Sequence, residues 1–316
     1  MKNERVKMDF NLLRFCVYSL VLNLCGLAFV PRVYAVDKFV INHSVSESDQ
    51  RYQYTYELLD LIINETNADF GDASIEVTNL VMSRNRIFRS LQDGQTINVM
   101  AEASNEQWNT KLIPIPIPIR KGIQGLRVFI IKNENKDLLA NISSLEQLMM
   151  LQTGSGSQWS TRVAMKQAGF NVVESAQYDS LFNMLSKRRF VTFGRGVNEA
   201  YQEVELFQKL YPELIVDEHI VLNIPLATYY YVSPKKPRLA KRIKIGLLRM
   251  IENGKFDQLF YRWHCECLIR SLLNKRQLFK ITNPLVVESQ MTSIMGEDFL
   301  FNPSLDISSI CEKYLE

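Results

Sequence analysis

The chain has 316 residues, of which 37 are basic and 34 acidic, so its formal net charge at pH 7 is only +3. A nucleic-acid-binding protein normally shows a larger basic surplus or a concentrated basic patch, and this sequence has neither, which argues against a nucleic acid as partner. The length is sufficient for about two domains with a substantial core.

The first 35 residues have the pattern of an export signal. Four basic residues between positions 2 and 14 precede an uncharged apolar run over residues 15–30, and Ala35 supplies a small residue where a signal peptidase cuts. A run of about 16 residues is short for a membrane-spanning helix, and a single anchor is the alternative. We therefore predict a signal peptide at residues 1–35. Removing its five basic and two acidic residues leaves 32 of each in a periplasmic mature chain.

Strands and helices alternate in the next part of the chain. The residue pattern predicts strands at 38–41, 74–78 and 96–100. Apolar residues at helical spacing predict helices near 52–63 and 83–91. Such alternation favours a parallel α/β sheet with right-handed connections, on which ligands bind beyond the carboxyl ends of the strands.

Residues 113–119 carry proline at every second position, and each proline removes a backbone donor. This pattern predicts an extended edge or crossover segment rather than a central strand. A second alternating unit follows, and its predicted strands lie at 126–131, 151–153, 170–173, 190–193 and 214–216. The chain then returns near residues 223–225.

The pattern of residues 227–263 predicts a strand and two helices. Residues 227–232 predict a buried strand in which Tyr229 and Tyr231 share one face and Tyr230 lies on the other. A long amphipathic helix then begins at Pro237, because a missing N–H costs nothing at the first helical position. A glycine stop separates it from a second, short amphipathic helix.

This stretch carries a family resemblance. The string YYYVSPKKPRLAKRIKIGLLRMIENGKFDQLFYRW, which covers residues 229–263, resembles the closing segment of type II periplasmic solute-binding proteins, the amino-acid-binding class that serves ABC importers. The resemblance implies an α/β, two-lobed periplasmic binding protein-like II fold, in which each lobe is a mainly parallel sheet flanked by helices and two hinge crossings join the lobes. It places residues 36–120 and 226–316 in lobe 1, with a C-terminal extension at 264–316, and residues 121–225 in lobe 2. The resemblance also implies that the two hinge crossings lie near residues 120 and 225.

Three cysteines remain after the signal. The sequence leaves two alternatives open for Cys311, a disulfide with Cys265 or Cys267 and a free core thiol. The sequence His264-Cys265-Glu266-Cys267 lacks the spaced second pair that zinc motifs have, so we predict no metal site. We also predict no cofactor.

Two glycine motifs are candidates for the ligand site. Residues 153–157 and 193–196 each follow a predicted strand and precede a predicted helix, where backbone N–H groups suit an anion. An ordinary tight turn is the alternative. The resemblance implies that Ser155, Gly156 and Ser157 hold a ligand carboxylate. Trp159 is predicted either to border the cleft or to pack in the core.

The chain departs from the family pattern at two places. Amino-acid-binding members usually carry an arginine clamp beyond the third strand, and the corresponding residues 103–108 include Gln107 and Trp108 but no arginine. Those members also place an aspartate late in the second lobe, where this chain has Arg195. These departures argue against a zwitterionic α-amino acid as the ligand. Arg195 favours an anionic or hydrogen-bond-accepting solute, with an internal ion pair to Glu199 as the alternative.

Further candidates come from positions at which the family often builds the wall of its cleft. Among them are His43 and Tyr52, which follow the first predicted strand. The predicted ligand-binding residues are Ser155, Gly156, Ser157, Trp159, Arg195, Glu199, Tyr229, Gln107, Trp108 and His43. His43 by itself is better explained as a loop residue.

The sequence predicts a binding protein rather than an enzyme, because it contains three histidines and none of the common catalytic motifs. We expect a monomer that captures a small polar solute, anionic or amino-acid-like, by hinge motion, for an ABC importer or a membrane sensor. The alternative is a periplasmic interaction or signalling protein that reuses the fold without a ligand.

Overall fold

The computed structural model describes residues 36–42, 52–286 and 295–315 of the chain. The predicted signal peptide, residues 1–35, and His43 lie outside the described residues. Within those ranges, no helix combines the length and the apolar character that crossing a membrane requires.

Five short strands form the sheets of the first lobe. β1 (Asp37–Ile41) pairs in parallel with β2 (Ala73–Val77). β11 (Thr228–Val232) lies between β3 (Val99–Ala103) and β4 (Ile113–Ile115) and runs antiparallel to both. The proline-rich segment thus supplies an edge strand at its start, as its missing donors require.

Asn98 joins these two small sheets. Its backbone N–H donates to the carbonyl oxygen of Val40 at 2.8 Å, and its side-chain amide donates to the carbonyl oxygen of Lys38 at 2.9 Å. The N–H of Val40 in turn donates to the side-chain oxygen of Asn98 at 2.9 Å. The side chain therefore supplies hydrogen bonds in place of a strand ladder and gives the spatial order β2, β1, β3, β11, β4.

Helices cover both faces of this lobe, and β11 divides its side chains between them as predicted. Tyr230 and Val232 belong to the core under the long helices, whereas Tyr229 and Tyr231 pack with Trp108 on the opposite face. The helices are α1 (Gln53–Phe70), α2 (Arg84–Asp93), α3 (Glu106–Lys111), α9 (Pro237–Glu252) and α10 (Lys255–Ser271).

The second lobe contains a seven-stranded sheet in the order β12, β10, β5, β8, β6, β7, with β9 also paired to β5. The strands are β5 (Leu126–Lys132), β6 (Gln152–Gly156), β7 (Asn171–Ser175), β8 (Thr192–Gly196), β9 (Leu214–Val216), β10 (Ile220–Asn223) and β12 (Gln277–Lys280). The helices are α4 (Lys136–Ala140), α5 (Leu145–Met150), α6 (Ser160–Ala168), α7 (Tyr178–Ser186), α8 (Val197–Phe207) and α11 (Ser308–Leu315).

Strand direction in this sheet follows the connections. β6 is parallel to both β7 and β8, because helices link these strands. β5 is antiparallel to β8, β9 and β10, and β12 is parallel to β10.

Two chain segments cross between the lobes and pair with each other. The N–H of Ile119 donates to the carbonyl oxygen of Thr228 at 3.0 Å, and the N–H of Ile224 donates to that of Gly125 at 2.9 Å. A Cβ atom at Gly125 would overlap the carbonyl group of Ile224. Glycine is therefore required for the backbones to approach this closely.

The C-terminal part of the chain contacts both lobes. α10 is longer than the predicted short helix, and it places Phe256 in the first-lobe core and Leu268 in the second-lobe core. β12 then joins the second-lobe sheet, although the sequence assigns this part of the extension to lobe 1. A disulfide links Cys265 of α10 to Cys311 of α11, which is one of the two pairings that the sequence left open.

A buried histidine in α10 makes the stability of the fold sensitive to pH. His264 packs against the ring of Tyr54 at 4.8 Å between centroids, and its Nε2 atom lies 3.4 Å from Nη1 of Arg120. Burial, together with the positive charge of Arg120, lowers the pKa of His264 well below 6.5. The folded protein therefore keeps this imidazole neutral where the unfolded chain protonates it.

We expect acid to destabilise the native chain partly through His264. Below the unfolded-state pKa of about 6.5, this residue removes up to ~1.4 kcal/mol of unfolding free energy per pH unit. His264→Gln cannot take up a proton, so its stability should fall less steeply between about pH 6.5 and pH 5. Urea unfolding of both proteins across this range measures the slopes, and equal slopes would contradict the prediction.

Candidate functional site

Arg84 links the two lobes across their cleft. It is the first residue of α2 in the first lobe, and its Nη1 atom donates at 2.7 Å to the carbonyl oxygen of Gln158, in the loop between β6 and α6 of the second lobe. The contact lies beyond the carboxyl end of β6, where ligands bind in sheets of this kind.

Other first-lobe groups surround the Arg84 guanidinium. Its Nε atom lies 3.2 Å from Oε2 of Glu102, and its central carbon lies 5.7 Å from the centre of the Trp108 ring. The second oxygen of Glu102 accepts a hydrogen bond from the N–H of Ala103 at 2.7 Å. Among the described residues, Nη2 of Arg84 is buried without a hydrogen-bond partner. A buried donor of this kind is suited to a ligand oxygen.

The predicted first-lobe residues differ in their surroundings. Trp108 is buried and packs against Phe88 at 5.6 Å and Tyr231 at 5.2 Å between ring centroids, so most of its indole belongs to the core. Gln107 is exposed. Tyr229 is buried on the same face as Trp108, and burial raises the pKa of its hydroxyl to about 12, so it stays protonated as a donor at neutral pH.

The first glycine motif is the end of a strand. β6 runs through Gly156, so Ser155 and Gly156 are buried strand residues rather than an open turn. The N–H of Ser157 donates to the carbonyl oxygen of Ser175 at 2.9 Å and continues the pairing with β7. The predicted turn is therefore replaced by extended backbone.

Aromatic rings occupy the space that the glycines leave. A Cβ atom at Gly156 would overlap the ring of Trp159, and one at Gly154 would overlap the ring of Phe190. Trp159 is half-buried, stacks on Phe193 at 6.0 Å between centroids and covers the Arg195 guanidinium at 4.4 Å. Trp159 thus packs on the second lobe while it adjoins the loop that Arg84 reaches.

Arg195 forms the internal ion pair that the sequence left as the alternative, and extends it to a second carboxylate. Its Nε and Nη2 atoms donate to the two oxygens of Glu203 at 2.6 and 2.5 Å, and Nη2 lies 3.1 Å from Glu199. The residue is 2% exposed. Burial opposes the charge, but Glu199 and Glu203 outweigh it and raise the pKa of Arg195 above its usual value.

Glu199 has three positively polarised neighbours. Besides Arg195, its carboxylate accepts a hydrogen bond from the N–H of Gly196 at 3.2 Å and lies 3.8 Å from Nη1 of Arg127. Burial lowers the pKa of Arg127 to about 10, against the attraction of Glu199. These charges compensate one another inside the second lobe.

The structure thus brings the predicted residues together in two groups. Trp159, Arg195 and Glu199 form one group in the second lobe, and Trp108 and Tyr229 belong to the other in the first lobe. Ser155, Gly156 and Ser157 lie along β6 and its end, Gln107 is on the surface, and His43 is outside the described residues. Tyr52 stacks on Tyr56 at 6.1 Å and packs beside the Trp108 cluster.

Sequence reasoning missed Arg84 and Glu203. Arg84 is one of several arginines near the start of α2, and only the three-dimensional contact with a residue 74 positions away distinguishes it. Glu203 lies two helical turns after Arg195, whereas the prediction considered only the first turn. In the described part of the chain, no three His, Cys, Asp or Glu side chains cluster as a metal site.

No protein-family model and no curated protein sequence matches this chain. Solved structures are similar to it. An ancestral arginine-binding protein bound to arginine shares 16% identity over 72% of this chain and 97% of that chain, with a TM-score of 0.52. An ancestral arginine-binding protein bound to glutamine shares 16% identity over 72% of this chain and 98% of that chain, with a TM-score of 0.51. A periplasmic binding protein of an arginine transport system from Legionella pneumophila shares 13% identity over 72% of this chain and 100% of that chain, with a TM-score of 0.52.

These similarities show the fold. The chain has the two-lobed α/β fold of type II periplasmic binding proteins, so the fold class that the resemblance implied is confirmed. The low identity fits an atypical version of that fold.

The ion pair of Arg195 generates a prediction about stability. Glu203→Ala leaves a buried guanidinium with only part of its compensation, so we expect a loss of about 3–5 kcal/mol in unfolding free energy. Glu205→Ala on the same helix removes an exposed partner of Arg270 and should change stability little. Chemical denaturation of both variants tests the difference, and similar losses would show that the buried pair has no special role.

The packing of Trp159 on Gly156 generates a prediction about tryptophan fluorescence. Gly156→Ala should displace the indole, shift tryptophan emission to longer wavelength and increase quenching by acrylamide, because the added methyl group takes the ring's place. The same substitution in a Trp159→Phe background should leave the emission unchanged. A shift in that background as well would mean that another tryptophan responds.

Proposed function

We propose that this chain binds a small polar solute, anionic or amino-acid-like, between its two lobes, and presents it in the periplasm to an ABC importer or a membrane sensor. The observation that carries this proposal is the Arg84 guanidinium. It lies at the cleft, contacts both lobes and keeps a buried donor, Nη2, that has no hydrogen-bond partner in the described part of the chain.

A solute carboxylate would supply the missing acceptor. Leaving a buried donor unpaired costs about 1–3 kcal/mol, and more for a charged group, so an oxygen at Nη2 recovers that loss on binding. Arginine also presents parallel N–H groups to a carboxylate. Glu102 lies beside Arg84 and adds a negative charge that suits a positively charged or N–H group of the same solute. This combination favours a molecule with both charges.

The remaining candidates are assigned supporting roles in this proposal. Trp108 and Tyr229 would form the first-lobe wall, and Trp159 with Ser157 the second-lobe wall. Arg195 and Glu199 would act from behind Trp159, by holding it in place rather than by touching the solute. The ligands of the similar structures, arginine and glutamine, are zwitterions that fit the same charge pattern.

A thermal-shift screen tests the proposal. The chain without residues 1–35 is heated with L-arginine, L-glutamine, other amino acids, organic acids and phosphorylated metabolites. A solute at about 100 times its dissociation constant should add ~2.7 kcal/mol, which raises Tm by a few degrees. We expect a response among carboxylate-containing compounds.

Arg84→Ala should weaken binding of the responding compound at least about tenfold, the loss expected for a charge-assisted hydrogen bond. Arg86→Ala is the matched control, because Arg86 is an exposed arginine on the same helix. Melting without solute checks that both variants are folded. Equal affinity in the two variants would remove Arg84 from the site, and a silent screen would contradict the proposal.

The second candidate function is a ligand-independent interaction protein. The filled space above Gly154 and Gly156 favours it, because aromatic side chains occupy positions where the resemblance implied a ligand. A pull-down with the purified chain as bait, in the presence and absence of the screened solutes, separates the two candidates. Solute-independent capture of a membrane protein would favour the interaction protein.

A further inference from the structure

The C-terminal strap, which we define as residues 276–286 and 295–315, begins on the second lobe and then reaches the second crossing. β12 lies beside β10, and the N–H of Ile281 donates to the carbonyl oxygen of Asn223 at 3.1 Å. The side chain of Asn283 then donates to the carbonyl oxygen of Pro225 at 2.8 Å. The strap therefore binds backbone between the two lobes.

The returning part of the strap holds the first crossing. The N–H of Phe301 donates to the carbonyl oxygen of Lys121 at 2.8 Å. The ring of Phe299 lies 5.5 Å from that of Phe256 and 4.9 Å from Nζ of Lys121. Nζ of Lys121 also pairs with Asp257 at 2.8 Å.

Lys121 is strained as well as held. Its φ of 46° lies in the left-handed region, which side chains other than glycine adopt only at a cost. Such a conformation persists when its surroundings determine it, and here the strap supplies part of those surroundings. The strap thus stabilises one backbone conformation of the first crossing.

The end of the strap is fixed to α10. The disulfide joins Cys311 to Cys265, across a separation of 46 residues. Tyr314 stacks on Tyr261 with 4.8 Å between ring centroids. The disulfide therefore closes a covalent loop that starts and ends at α10, a helix with residues in the cores of both lobes.

We infer that the C-terminal strap locks the two lobes in one orientation, so that this chain recognises its solute or partner without wide hinge closure. Hinge motion requires changes of φ and ψ in the crossing segments. Any such change at Lys121 or Pro225 separates atoms that the strap holds by hydrogen bonds. The inference concerns lobe motion alone and stands whatever the solute is.

Hydrogen exchange measured by mass spectrometry tests the second crossing. Asn283→Ala removes the hydrogen bond to Pro225, and we expect peptides that contain residues 222–228 to exchange about fivefold faster, the effect of losing one hydrogen bond. Gln277→Ala is the matched control. It removes an amide-to-carbonyl hydrogen bond from the strap to Ser143, which lies in the second lobe. That variant should leave residues 222–228 unchanged.

The first crossing is tested by Cys265→Ser combined with Cys311→Ser. This variant releases α11, so exchange in residues 117–125 should rise more than exchange in β6 and β8, which serve as internal references. Cys267→Ser removes a cysteine of the same helix that forms no disulfide within the described residues, and it should have no such effect. A melting curve confirms that each variant is folded. The inference is overturned if both crossings of the native chain already exchange as fast as in these variants.

Discussion

The pairing of the two crossing segments is the constraint on which both lobes depend. β4 and β11 are neighbours in the first lobe, and β5 and β10 are neighbours in the second. The first crossing joins β4 to β5, and the second joins β10 to β11, so one antiparallel ribbon runs through both sheets. Gly125 lets the ribbon continue where the backbones approach most closely. A change of register there would turn the tyrosines of β11 to the wrong faces.

Buried arginines hold the elements that pack on this ribbon. Arg242 of α9 is fully buried and donates to Asp37 of β1 at 2.9 Å and to Asn67 of α1 at 2.8 Å. Arg195 of β8 likewise donates to Glu203 of α8, at 2.6 Å. Each guanidinium meets a carboxylate with favourable geometry, which offsets the cost of removing the charge from water. Because both guanidinium groups are buried and paired with carboxylates, neither arginine presents its positive charge to the cleft.

Much of the fold could be predicted from the sequence, because the signals involved are local. Alternating strands and helices predicted the parallel part of the second-lobe sheet, and β-branched and aromatic residues predicted both faces of β11. The cysteine positions left two partners for a disulfide of Cys311 and did not decide whether one forms. The antiparallel pairing of the crossings depends on contacts between segments about 100 residues apart. The proline pattern and the family resemblance indicated the crossings but not how they pair. β6 contains glycines, which have low strand propensity, and it is extended because it pairs with β7 and β8, while rings of Trp159 and Phe190 fill the space beside the glycines.

The candidate site was less predictable, since its geometry is tertiary. The resembled family usually carries an arginine at positions that correspond to residues 103–108, where this chain has none. The arginine at the cleft is instead Arg84, at the start of α2, whose guanidinium lies over Trp108. Arg195, which the sequence analysis proposed for the ligand, is turned inward because Glu203 satisfies two of its donors at once. Local spacing along α8 indicates Glu199 and cannot indicate that the second turn provides the stronger partner.

The contacts of Arg84 and the rigidity that we infer from the C-terminal strap both affect how a solute would be recognised. A hinged binding protein uses part of its binding energy to change conformation, whereas a lobe pair that is already held keeps that energy for affinity. Under the proposed function, such rigidity would remove wide closure as a signal to a membrane partner. Occupancy would then be read from groups at the cleft, and Arg84 is one that contacts both lobes. A solute oxygen at Nη2 of Arg84 would reorganise its contacts with Glu102 and Gln158 and so change the surface where the lobes meet.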